Sequence, residues 1–227
     1  LDSDYEAAIL EMGMSAFGEI SRLAAVAQPN VGIISKIGVS HIEHLGSREG
    51  ILKAKLEILD GLKPGAPLIV NGDDDLLSTV KLDDRRVITF GVENTECDYR
   101  AVDISQDGYS TSFTVLFDGG QRQVTIPTVG THNVYNALSA FAVGLYLGVS
   151  PEKAALGLSK YVTSGMRQNV REVNGITVIE DCYNASPDSL RAATEVLSTM
   201  KAGTKALVFG DMLELGDYSN TAHYEVG

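Results

Sequence analysis

VGIISKIG (31–38), SREGILKAKLEILDGL (47–62) and APLIVNGDD (66–74) follow one another early in the chain, and their reading decides the fold. The outer two are short Val/Ile/Leu-rich runs, the signature of buried strands, while the middle run carries apolar residues at helical spacing behind Ser47 as its cap. Strand, helix, strand implies parallel pairing with right-handed crossovers. Upstream, YEAAILEMG (5–13) reads as a further buried strand and GEISRLAAVAQ (18–28) as a helix stopped by Pro29. Downstream, residues 86–90 continue the sheet.

The pattern changes after Gly91. CDYRAVDIS (97–105), YSTSFTVLF (109–117) and RQVTIPTV (122–129) alternate polar and apolar residues around the turns QDG and DGG, a small antiparallel excursion. Helix returns over HNVYNALSAFAVGLYLG (132–148) and SPEKAALGLSKY (150–161), the latter with Ser150 as cap and Pro151 at its first position. VREVNGITVIED (170–181) opens a new pair of strands, and the weak pattern before it marks a domain boundary. The expected architecture is α/β: residues 1–163 form a mostly parallel sheet with helices and a small antiparallel part, and residues 164–227 begin a second domain.

Composition narrows the function. The chain has 227 residues, 44% of them hydrophobic, enough for a packed core. A formal net charge of −12 and no basic stripe argue against a nucleic-acid partner, because phosphates would be repelled. Cys97 and Cys182 have neither metal-ligand spacing nor disulfide density, which fits free thiols in a reducing compartment. With no long apolar run and no signal-like start, the expectation is a soluble, cytoplasmic protein without a membrane partner. Leu1 and the unfinished helical pattern NTAHYEVG (220–227) read as the ends of a piece of a longer protein.

Polar groups gather where strands should end. DCYNASPDS (181–189) follows VNGITVIE, and FGDMLELG (209–216) follows TKALVF, so acidic and amide groups appear at the mouths of two expected buried strands. Asn184 and Ser186 can belong to a ligand loop or can simply cap the helix LRAATEVL (190–197). Glu11, at the end of the first expected strand, suits a hard cation such as Mg²⁺, since a carboxylate leaving an apolar run needs a partner. His41 lies beyond the second strand, whose end would bring it to Glu11; a surface-loop histidine is the alternative. Lys55, on spacing alone, is a solvated helix-face residue beside Lys53 and Glu57. Asn133 and Asn136 share a helix face and can read a base edge or a peptide, although Thr131 or His132 as caps explain the region equally well. Arg167 can clamp a phosphate between domains or stand in solvent. GxxxxGK[ST] does not occur in the chain, so a β/γ-phosphate cradle of that type would have to come from sequence outside it.

EMGMSAFGEISRLAAVAQPNVGIISKIGVSHIEHLGSREGILKAKLEI (11–58), GTHNVYNALSAFAVGLYLGV (130–149), DCYNASPDSLRAA (181–193) and VFGDMLELG (208–216) together resemble the Mur ligases nearly end to end. The YNASPDS and GDMLELG pair is similar to the branch that adds D-alanyl-D-alanine to UDP-N-acetylmuramoyl-tripeptide, in peptidoglycan and cell-wall synthesis. The resemblance implies ATP and Mg²⁺ as cofactors, an acyl-phosphate intermediate, a central ATPase domain lacking its P-loop start and a partial Rossmann-like C-terminal domain. Residue by residue, it implies Glu11, His41 and Lys55 as the metal and catalytic set, with Lys55 carbamylated. Asn133 and Asn136 would contact adenine, Arg167 phosphate and Asp181 ribose, and Asn184, Ala185 and Ser186 would line the dipeptide side. Cys182 stands where Ser is common. The alternatives are a non-catalytic fragment of such a ligase and a related amide ligase such as folylpolyglutamate synthase.

Overall fold

The computed structural model describes residues 4–163 and 165–227; Ser164, the expected first residue of the second domain, lies outside the described residues, as do residues 1–3. Six strands form one sheet in sequential order: β1 (Gly32–Ile34), β2 (Leu68–Asn71), β3 (Val87–Gly91), β4 (Tyr99–Asp107), β5 (Ser110–Phe117) and β6 (Gly120–Ile126). β1 to β4 pair in parallel and β4 to β6 antiparallel, as the alternation of segments implied.

All four residues of β2 are buried, because successive side chains face opposite sides and both sides are covered. Leu68 and Val70 pack with Ile20 of α1 (Glu19–Ala27) and with Ile51 and Ala54 of α3 (Arg48–Leu56). Ile69 points the other way, into a cluster with Val134, Leu138 and Phe141 of α4 (Thr131–Tyr146). β5 needs cover on one face only, and it buries Thr111, Phe113 and Val115 in strict alternation. A short helix α2 (Ile42–Leu45) precedes α3, and α5 (Pro151–Ser159) follows α4. The caps are formed as expected: Ser47 Oγ accepts from the Gly50 N–H and Ser150 Oγ from the Lys153 N–H.

The C-terminal part is a two-stranded antiparallel sheet, β7 (Asn169–Val173) with β8 (Ile176–Glu180), followed by α6 (Pro187–Thr199) and α7 (Ser219–Val226). Asn174 and Gly175 both have positive φ, 51° and 78°, the turn geometry that matches strand twist in a tight hairpin. Ser186 caps α6 in a reciprocal box with Ser189, and Pro187 takes the first helical position.

Two expected strands are absent. Residues 5–13 form no ladder, and Ile9 and Leu10 are 94% and 57% exposed. The run has only two branched aliphatics, and the ladder of the three-residue β1 is with β2, so among the described residues no strand pairs with it. Residues 204–209 likewise remain unpaired, with Val208 95% exposed. Apolar composition supplies a strand's side chains but not its neighbour. No helix among the described residues is long and apolar enough to cross a membrane.

Candidate active site

A cleft of about 2020 Å³ runs from the unpaired segment at residues 6–14, past β1 and the start of α4, to the start of α6. Glu11, His41, Lys55, Asn133, Asn136, Arg167, Asp181 and Ser186 all line it, although they come from six separate stretches of chain. Asn184 and Ala185 are not among its lining residues, and Asn184 is exposed. Asn184 Oδ1 accepts from the Ala185 N–H at 2.9 Å, and Ala185 packs on the cluster of Leu190, Met212 and Leu215.

Lys55 sits in the last turn of α3, where burial pushes its ammonium pKa down against a weaker opposing pull from the Asp74 carboxylate. Its Nζ donates to the Lys36 carbonyl at 2.8 Å. Spacing alone reads Lys55 as a solvated residue; the structure shows it half-buried in the cleft wall. The loop between β1 and α2 is tied down from two sides. Buried Asp74 accepts from the Ile37, Leu76 and Leu77 N–H groups, and Arg48 reaches the Ile37 carbonyl while forking onto Asp75. His41 follows with φ 64°, and its Nδ1 is in ion-pair contact with the Glu214 carboxylate. Glu11 is exposed in the cleft at the end of an unpaired segment rather than a strand.

On the α4 side, Asn133 Nδ2 donates to the Val129 carbonyl at 2.8 Å and to Gln168 Oε1 at 2.7 Å. Gln168 Nε2 contacts His132 Nε2 at 3.0 Å, and burial pushes the pKa of His132 down. Asn136, one turn on, is exposed. The Arg167 guanidinium lies 4.0 Å over the Tyr183 ring, a stacking contact that leaves its edge free for an anion. Across the cleft, Lys36 Nζ meets Asp188 Oδ1 at 2.7 Å. Glu214, Gln168, Lys36 and Asp188 carry these contacts, and no motif in the sequence marks them as partners. Glu214 and Asp188 do lie within the two polar runs that begin FGDM and DCYN, but spacing along a chain does not reveal partners far apart in it.

The Mur ligase middle domain matches residues 1–144, and the Mur ligase, glutamate ligase domain matches residues 166–227. The chain belongs to the Mur ligase family. Among Mur ligases it is 46% identical over 224 residues to the UDP-N-acetylmuramoyl-tripeptide–D-alanyl-D-alanine ligase of Bacillus subtilis (strain 168), covering 98% of this chain and 48% of that protein. Its fold is similar to crystal structure I of MurF from Acinetobacter baumannii, with TM-score 0.93 and 34% identity over 100% of this chain and 49% of that one. It is also similar to MurF ligase from Thermotoga maritima in complex with ADP, with TM-score 0.86 and 29% identity over 95% of this chain and 49% of that one. The chain spans about half the length of the curated relatives it matches. The first of the two Mur ligase matches takes in the whole six-stranded sheet, and the second opens just ahead of Arg167.

Proposed function

We propose that this chain is the part of an ATP-dependent, cytoplasmic ligase that handles nucleotide and receives D-alanyl-D-alanine for joining to UDP-N-acetylmuramoyl-tripeptide. The reading takes residues 1–163 as most of the middle domain and 164–227 as the start of the C-terminal domain. It is supported by the name of the 46% identical relative and by the ADP bound to the Thermotoga protein. The observation that carries it is the single cleft shared by Glu11, His41 and Lys55 with Asn133, Arg167 and Asp181.

Glu11, His41 and Lys55 offer donors of the kind a hard divalent cation takes, although no three His, Cys, Asp or Glu side chains among the described residues stand together as a formed metal site. Glu11 offers an exposed carboxylate in the cleft, and His41 has Nδ1 against Glu214 while Nε2 has no partner among the described residues. Lys55 would repel a cation as an ammonium, but burial favours its neutral form. The neutral amine can attack CO₂: a nitrogen–carbon bond forms, one N–H proton leaves to water, and the resulting carbamate provides an anionic oxygen. When bound, Mg²⁺ would screen the repulsion between the substrate carboxylate and the γ-phosphate. Asn133 and Asn136 would hold adenine, Arg167 a phosphate and Asp181 the ribose, while Asn184, Ala185 and Ser186 would form the dipeptide side. The carboxylate takes the phosphoryl group, ADP leaves, and the dipeptide amine then displaces phosphate to form the new amide.

The test is Lys55→Ala in the full-length protein, assayed for ATP-dependent addition of D-alanyl-D-alanine. Turnover should be lost and partly restored by added formate or acetate, and ¹³C-bicarbonate should give a carbamate signal in the wild type only. Full activity of the unsupplemented variant would reject the role of Lys55.

A further inference from the structure

The loop carrying Glu214 is docked onto the loop carrying His41 by three independent contacts. Glu214 and His41 form the ion pair already described. Gly216 approaches so closely that an added Cβ would lie 3.3 Å from Cβ and Cγ of Glu43, and Val39 packs on the cluster holding Met212 and Leu215. Both paired residues have left-handed backbones, φ 64° at His41 and 62° at Glu214, a conformation non-glycine residues hold only when their surroundings require it.

Stability does not explain this arrangement. The two side chains are 32% and 49% exposed, and ion pairs that open to solvent contribute little. What the contact does bias is the imidazole: Nδ1 is buried, makes no hydrogen bond among the described residues and has the Glu214 carboxylate as its ion-pair neighbour, and a negative charge there favours the proton on Nδ1 and the lone pair on Nε2, the state in which histidine binds a cation. We infer that Glu214 is a positioning residue for His41, supplied from the C-terminal part of the chain, so that the cation site is complete only when the 209–216 loop is seated on the 39–46 loop. The inference rests on the reading of His41 as a cation ligand. Glu214 would act without touching substrate or nucleotide.

The experiment measures Mn²⁺ binding, by electron paramagnetic resonance with ADP present, in the full-length protein and its Glu214→Ala, Glu214→Gln, His41→Ala and Arg191→Ala variants. Glu214→Ala should bind Mn²⁺ about 10–100-fold more weakly, the usual effect of removing a histidine's outer partner. Glu214→Gln, which keeps a carbonyl dipole beside Nδ1 but removes the charge, should fall between Ala and wild type. Arg191→Ala, which breaks the Arg191–Glu225 pair in the same part of the chain, should bind as the wild type does. In turnover, Glu214→Gln should lower kcat with KM for D-alanyl-D-alanine unchanged. Wild-type Mn²⁺ affinity in both Glu214 variants, with His41→Ala impaired, overturns the inference and leaves the cation site standing. Unimpaired binding in His41→Ala overturns both.

Discussion

Asp73 shows how a partly buried carboxylate can be held ionised by three backbone N–H groups and one hydroxyl. It accepts from the N–H groups of Val92, Glu93 and Asn94 at 2.6, 3.0 and 2.7 Å, and from the Tyr135 hydroxyl at 2.7 Å. Burial by itself would raise its pKa, but these donors outweigh it and hold Asp73 below the ordinary range, while burial and the same contact push the Tyr135 hydroxyl well above its own. A folded-state pKa below the unfolded value stabilises the fold above about pH 3.9, and that contribution is lost as pH falls through the folded value. Asp73→Asn should therefore lower the urea midpoint at neutral pH and flatten its decline below about pH 4. An acid limb as steep as the wild type's would assign the sensitivity elsewhere. The chemistry of Asp73 was not legible in the run APLIVNGDD, because its donors lie 19 to 21 residues and, for Tyr135, 62 residues away.

At the scale of elements, the α2–α3 corner decides where Lys55 and His41 stand. Gly50, in the first turn of α3, donates to Ser47 Oγ at 3.2 Å, and a Cβ added to it would lie 2.0 Å from the Leu45 carbonyl oxygen. Glycine to alanine inside a helix normally gains about 1 kcal/mol. Here the clash is with backbone, so Gly50→Ala should instead destabilise by about 1–3 kcal/mol, seen as a lower melting temperature; a raised one would show that the corner can shift freely. The elements that periodicity and caps identify, α3, α4, α5 and α6 with Ser47, Ser150 and Ser186, carry their evidence within a few residues. The strands expected at 5–13 and 204–209 fail because pairing is a property of two segments, and the sequence of one does not contain the other. The candidate site divides along the same line. Glu11, His41 and Asn133 were recognisable by residue type and motif, whereas Glu214 and Gln168 become visible only when the loops are folded against one another.

Across the whole molecule, burial is unequal. The parallel part of the six-stranded sheet is packed on both faces by two large clusters, whereas the C-terminal part depends on a small one around Leu190, Met212, Leu215 and Ala222, and β7 buries none of its residues fully. Local opening follows such differences. Amides of β7 and β8 should exchange with deuterium well before those of β2 and β3 in a mass-spectrometric time course, and indistinguishable rates would contradict this ranking. The sheet order also separates its two ends: β1 borders the cleft, and the β5–β6 turn at Asp118, Gly119 and Gly120 lies at the opposite side, with open space around both glycines. That turn is a natural anchor for a fluorophore or a surface tether. A dye on Asp118→Cys, with exposed Cys182 replaced by Ser to prevent double labelling, would let single molecules be watched while the working end stays unencumbered.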